Sequence, residues 1–76
     1  MLDKAKYIIF GRNRFIMFDP QFKHNEIANL LNLEKIVSAG FVGDCGNGIQ
    51  CFGESLSLGL KSRPEDTNVI KRYLED

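Results

Sequence analysis

Apolar positions along this chain switch between a period of two and a helical period of about 3.6, and the switches mark its elements. Tyr7–Phe10 and Arg14–Phe18 are runs of β-branched and aromatic residues separated by Gly11-Arg12-Asn13. That pattern predicts two strands joined by a tight hairpin. With Arg12 and Asn13 as a two-residue turn, Phe10 faces Phe15 and Ile8 faces Met17. Tyr7, Ile9, Ile16 and Phe18 then line the opposite face. Both faces of the hairpin are apolar, which is unusual in a small antiparallel sheet, where one face normally meets water.

Asp19-Pro20 ends the second strand, because proline has no N–H for the ladder. From His24 to Asn32 the spacing turns helical, with Ile27, Leu30 and Leu31 at i, i+3 and i+4. Ile36–Val42 reads as a third strand and Ile49–Leu60 as a long fourth one. Glu54 interrupts the apolar face of the fourth, formed by Phe52, Leu56, Leu58 and Leu60. A bulge at Gly53-Glu54 turns Glu54 outward and brings Ile49 and Cys51 to the leucine side. Ser62-Arg63-Pro64-Glu65 has the form of a capping box opening a last helix, whose buried stripe is Val69, Ile70, Tyr73 and Leu74. The order is ββαββα. Its halves echo one another in layout, with too little residue identity to mark a duplication. The expected fold is α+β: one domain over residues 1–76, a four-stranded antiparallel sheet with both helices packed on one face.

Composition narrows the class. A chain of 76 residues has room for one domain and buries only about 60% of the surface its unfolded form exposes. An apolar content of 43% against 26% charged residues excludes disorder. The formal net charge is zero, so no overall field draws in nucleic acid or anionic lipid. The charge is unevenly placed, basic in the first third and acidic in the last thirteen residues. MLDKAKYIIF has no apolar run long enough for a signal peptide, and nothing approaches the roughly 18 apolar residues of a membrane span. A cytoplasmic protein with reduced thiols and no membrane partner is expected.

The stretch GDCGNGIQCFGESLSLGL, residues 43–60, holds both cysteines and most of the glycines. A phosphate loop needs glycines that open a helix, whereas Gly46-Asn47-Gly48 leads into strand residues. A structural zinc site wants close pairs of ligands, and Cys45 and Cys51 stand too far apart, with His24 the sole histidine. A disulfide depends on register. A two-residue turn at Asn47-Gly48 puts the cysteines on opposite faces, a three-residue loop leaves them diagonal, and only a five-residue loop sets them opposite one another. The stretch therefore reads as a glycine-rich hairpin, with Cys51 a small core residue and Cys45 a loop thiol. No metal or cofactor is expected. His24, in the first turn of a helix, reads as a solvated or capping residue, and with no partner placed beside it no catalytic constellation is visible. An enzyme is not expected.

What remains is contact. If both helices cover one face of the sheet, the other exposes either Tyr7, Ile9, Ile16 and Phe18 or Ile8, Phe10, Phe15 and Met17. Large exposed apolar patches mark interfaces. The leading expectation is an interaction or assembly protein that self-associates as a homodimer, by sheet faces or by sheet edges, or that meets another protein. Helices straddling both faces would instead leave a monomer with no such patch. A second expectation, from a different class, is a single-stranded nucleic-acid-binding module. In it sheet aromatics stack bases while Arg12, Arg14, Lys61 and Arg63 hold phosphates. Against it stand the zero net charge and the lack of an RNA-binding signature. In size and lack of motifs the chain is of a type with small bacterial and phage proteins, a likeness of type that names no family.

Overall fold

The computed structural model describes residues 4–44, 46 and 48–75. In chain order the elements are β1 (Lys4–Phe10), β2 (Arg14–Phe18), α1 (His24–Leu30), β3 (Ile36–Asp44), β4 (Ile49–Phe52), β5 (Glu54–Ser55), β6 (Leu60–Lys61) and α2 (Asp66–Glu75). Strands β2-β1-β3-β4 form one antiparallel sheet in that order, and β5 and β6 pair as a separate ribbon. The protein is an α+β fold built on a four-stranded antiparallel sheet with two helices.

The first hairpin forms where its sequence pattern places it, one residue out of the expected register. Phe10 lies opposite Arg14, Ile9 opposite Phe15 and Ile8 opposite Ile16, so the loop has three residues, Gly11 to Asn13. Gly11 at φ +59° and Asn13 at φ +58° supply the left-handed conformations that such a loop requires. A one-residue slip exchanges the faces of the second strand. Phe15 and Met17 now share a face with Tyr7 and Ile9, while Ile16 and Phe18 share one with Ile8 and Phe10.

Each face has its own helix. Tyr7 and Ile9 pack with Val42, Cys51 and Ile70 of α2, joined by Phe15, Ile49 and Val69. Ile8 packs on the other side with Ala39 and Ala28 of α1, joined by Ile16, Phe18, Leu58 and Leu60. The expected placement of both helices on one face is corrected accordingly. The hairpin is apolar on both faces because the central strand β1 is covered on both. Two thin cores rather than one thick one account for the run Tyr7-Ile8-Ile9, all three without solvent exposure.

The expected fourth strand also divides. β4 stops at Phe52, and Gly53, at φ +77°, turns the chain into the ribbon. The turn is tight against β3: a Cβ on Gly40 would sit 2.6 Å from the Phe52 carbonyl oxygen. The Gly53 carbonyl accepts a hydrogen bond from the Ser62 N–H at 3.0 Å, which closes the base of the ribbon. A strand break, not a bulge, thus resolves the conflict at Glu54. It leaves Ile49 and Cys51 in the core under α2 and Leu58 and Leu60 in the core under α1, while Leu56 at the ribbon's tip is 87% exposed.

Both helices are shifted relative to their sequence patterns. In α1 the buried residues are His24 and Ala28, with Ile27 beside them, and Leu30 and Leu31 lie outside. The helix ends in a left-handed Asn32 (φ +56°), and the Leu33 N–H reaches back to the Ala28 carbonyl at 2.9 Å. The expected box at the start of α2 is replaced by a single return contact one residue later. Asp66, not Glu65, turns back, and its Oδ2 accepts from the Arg63 N–H at 2.9 Å.

Candidate interaction surface

A sheet of four strands has two edges, and here they differ. Along β4 the Cys51 N–H donates to Thr67 Oγ1 of α2 at 2.9 Å, so the start of that helix caps the edge. Strand β2 pairs with β1 alone. No backbone hydrogen bond reaches its outer side among the described residues. Such an edge is a template for another strand.

Helix α2 crosses its face of the sheet from β4, at Thr67, to β2, where Tyr73 meets Phe15 edge-to-face with ring centroids 5.3 Å apart. Tyr73 and, on β2 itself, Met17 are exposed there, and Leu74 is exposed on the flank of the helix that it shares with Thr67. The sequence pattern assigns Tyr73 and Leu74 to the buried stripe. Of that stripe only Ile70 is fully buried. On the other face Leu31, about half exposed, lines an open cleft with Phe10, Arg14 and Leu33.

The residues singled out in the sequence fall into distinct places. Tyr7, Ile8 and Ile9 are core and unavailable to any partner of the folded chain. Phe10, Phe15, Ile16 and Phe18 are half-buried, and Met17 is exposed. Arg12 and Arg14 stand exposed at the hairpin tip, where the Arg14 guanidinium lies over the Phe10 ring at 5.9 Å. Lys61 lies in the ribbon opposite Glu54. Arg63 is committed to Asp66 at 2.8 Å and to Glu65 at 3.7 Å. The four basic residues do not form one cationic cluster.

The polar chemistry of the fold is shut inside it. The Tyr7 hydroxyl donates to Asp66 Oδ2 at 2.5 Å, and Arg63 Nε donates to Oδ1 of the same carboxylate. Burial alone would raise the Asp66 carboxyl, but the hydrogen bonds from Tyr7 and Arg63 outweigh it and hold the group below its usual range. Tyr7, buried and facing that charge, is pushed far above an ordinary phenol. Cys51 lies free and buried as expected, and burial holds its thiol protonated, which removes it as a nucleophile. Cys45 and Asn47 lie outside the described residues. The ladder closes at Asp44 and Ile49, leaving a four-residue loop that matches none of the three considered from sequence.

His24 corrects its expectation most plainly. It is 3% exposed, and its Nε2 donates to the Gly40 carbonyl at 2.9 Å, a carbonyl being able only to accept. Burial, assisted by the neighbouring Lys6 charge, lowers its pKa and favours the neutral ring. Among the described residues no group of three or more potential metal ligands gathers, and no helix is long and apolar enough to cross a membrane. Comparison with protein-family models, with curated proteins and with solved structures returns no match.

Proposed function

We propose that this protein acts by protein–protein contact, as an assembly module that pairs with a second copy of itself along β2. The observation that carries this reading is the open β2 edge, bordered by exposed Met17 and Tyr73, while the Cys51 N–H on the opposite edge is taken by Thr67 of α2. Antiparallel pairing of β2 with its symmetry mate would extend the sheet across a two-fold axis. It would satisfy the free backbone groups and bring Met17 and Tyr73 of the two copies to the new seam. A standard interface buries about 800 Å² per partner, a modest share of the 5315 Å² that this chain exposes. Strand pairing supplies register and the apolar flank supplies most of the free energy, since backbone hydrogen bonds exchanged for water add little net stabilisation.

Light scattering across a concentration series tests the proposal. The chain is expected to run at twice its monomer mass, and Met17→Lys, which places a charge beside the seam at an exposed position, is expected to run as a folded monomer. A monomeric wild-type chain at every concentration overturns self-association.

A further inference from the structure

At one end of the sheet, the face that α1 covers is left partly open. Four side chains stand there in a cross-strand row, one from each strand: Phe18, Lys6, Phe41 and Phe52. The rings of Phe41 and Phe52 are stacked, 5.8 Å apart and 20° from parallel, and Phe52 is 43% exposed. Lys4 and Lys6 hold their ammonium groups 4.9 and 5.9 Å from the Phe41 ring centre. His24 stands edge-on above the row, 5.6 Å from the Phe18 ring and 6.0 Å from that of Phe41.

The next row outward is Lys4, Gly43 and Gln50, which offers a cation, a bare backbone and an exposed amide. Above Phe41 a cleft of about 610 Å³ opens between the start of α1 and the tip of the ribbon, with Lys6 and Lys23 on its walls and Glu54 the one acid. Its size falls within the range of about 300–1,000 Å³ usual for ligand sites. None of Lys4, Lys6 and Lys23 has an ion pair among the described residues, where the salt bridges are those of Arg63.

We propose that this surface binds single-stranded nucleic acid, with a base stacked on the exposed face of Phe52 and the phosphate backbone following Lys4, Lys6 and Lys23. Lys6 Nζ donates to the Phe22 carbonyl at 2.7 Å, which orients the ammonium without neutralising it. Cations without an ion pair beside an exposed aromatic stack suit a ligand that is both anionic and planar, and single strands offer both at each nucleotide. Gly43 lets a backbone approach the sheet closely, and Gln50 offers a donor and an acceptor to a base edge. These are not the cations named from sequence. The sequence does carry a trace of them: Lys4 and Lys6 are two apart in a strand and so share a face. Their convergence on Phe41 depends on the β1–β3 register.

Fluorescence anisotropy of labelled oligothymidylate and oligouridylate, begun at about 50 mM salt, tests the proposal. Binding is expected, with log K falling against log salt at about −0.7 per phosphate engaged, hence about −2 for three lysines. Phe52→Leu keeps an apolar side chain and removes the ring, and is expected to weaken binding by about fivefold or more. Lys4→Ala, at an exposed position, is expected to weaken binding and reduce the salt slope by about one phosphate equivalent. A preference between the two oligonucleotides identifies DNA or RNA as the natural class, and either supports the site. Should Phe52→Leu fail to fold, the slope of Lys4→Ala decides alone. Absence of binding at low salt, an unchanged slope in Lys4→Ala, or displacement of the strand by polyglutamate at matched charge overturns the proposal. On an oligonucleotide too short to reach two sites, Met17→Lys is expected to bind as wild type, so this surface stands or falls apart from the β2 edge.

Discussion

Tyr7 and Asp66 sit 59 positions apart in the chain and share one buried hydrogen bond that ties the central strand to the start of α2. Their ionisations act on stability from opposite sides. Asp66 is held below its ordinary value of 3.8, so its contribution is complete above that pH and is lost as pH falls through the lower folded-state value. Tyr7 is raised above its ordinary 10.0. Its contribution is therefore complete below pH 10 and is lost as pH climbs beyond it, where the unfolded chain ionises and the folded one does not. Buried His24, lowered from its ordinary 6.5, and buried Cys51, raised from its ordinary 9.0, add declines inside these limits. Urea midpoints measured across pH are therefore expected to form a plateau between about 6.5 and 9.0. Tyr7→Phe is expected to lower the plateau by about 1–3 kcal/mol, the cost of depriving a buried carboxylate of a donor. It should also remove the Tyr7 share of the alkaline decline. An alkaline limb as steep in Tyr7→Phe as in wild type would show that this phenol is not its source.

At the scale of elements, the break after β4 is decided by glycines. Gly40 admits the Phe52 carbonyl at a distance where no Cβ fits, and the neighbour is backbone, which cannot swing aside. Gly40→Ala is therefore expected to destabilise by about 1–3 kcal/mol through overpacking, read as a lowered thermal midpoint. Gly11→Ala makes the contrast. It meets no atom within 4 Å, and its cost is confined to the left-handed backbone, φ +59°. For Gly11 that is about 1–2 kcal/mol. Asparagine distinguishes the two lesions, because Gly11→Asn should recover stability relative to Gly11→Ala by tolerating that conformation while Gly40→Asn should not. Strand and helix positions were legible from period alone; the break, the one-residue shift of the hairpin and the later return contact at α2 were not. A period-two pattern is unchanged by a slip of the partner strand, and local cap chemistry favours Ser62-x-x-Glu65 because arginine has no side-chain acceptor, so only the burial of Asp66 moves the contact to Arg63.

At the scale of the whole molecule, the sheet is narrow and each helix covers only part of a face. That leaves one open edge, one exposed helix end and one partly open aromatic–lysine corner. If β2 pairs with a second copy, folding and association are linked, and the thermal midpoint is expected to rise with protein concentration. A midpoint independent of concentration, in a chain shown to be dimeric, would mean that the dimer dissociates before it melts. The two surfaces belong to different parts of the molecule, so a dimer would present two copies of the lysine corner and gain avidity for a long strand without new contacts.

By itself the sequence determined the class of fold, the hairpin, the positions of both helices, the buried Cys51 and the lack of a sequence motif for a phosphate loop or a zinc site. These follow from local rules: side-chain period, turn chemistry and ligand spacing act over a few residues and need no knowledge of what lies across the core. Only the tertiary structure decided which face each helix takes. With that choice came the burial of Tyr7, Ile8 and Ile9, the inward turn of His24 and Asp66, and the exposure of Leu30, Leu31, Tyr73 and Leu74. An apolar hairpin with two apolar faces is equally well served by one helix on each side or by two helices on one side and a partner on the other. The β1–β3 and β3–β4 registers and the placement of α2 across β4 select the first. Those long-range pairings also bring Lys4, Lys6, Phe41 and Phe52 together from three strands.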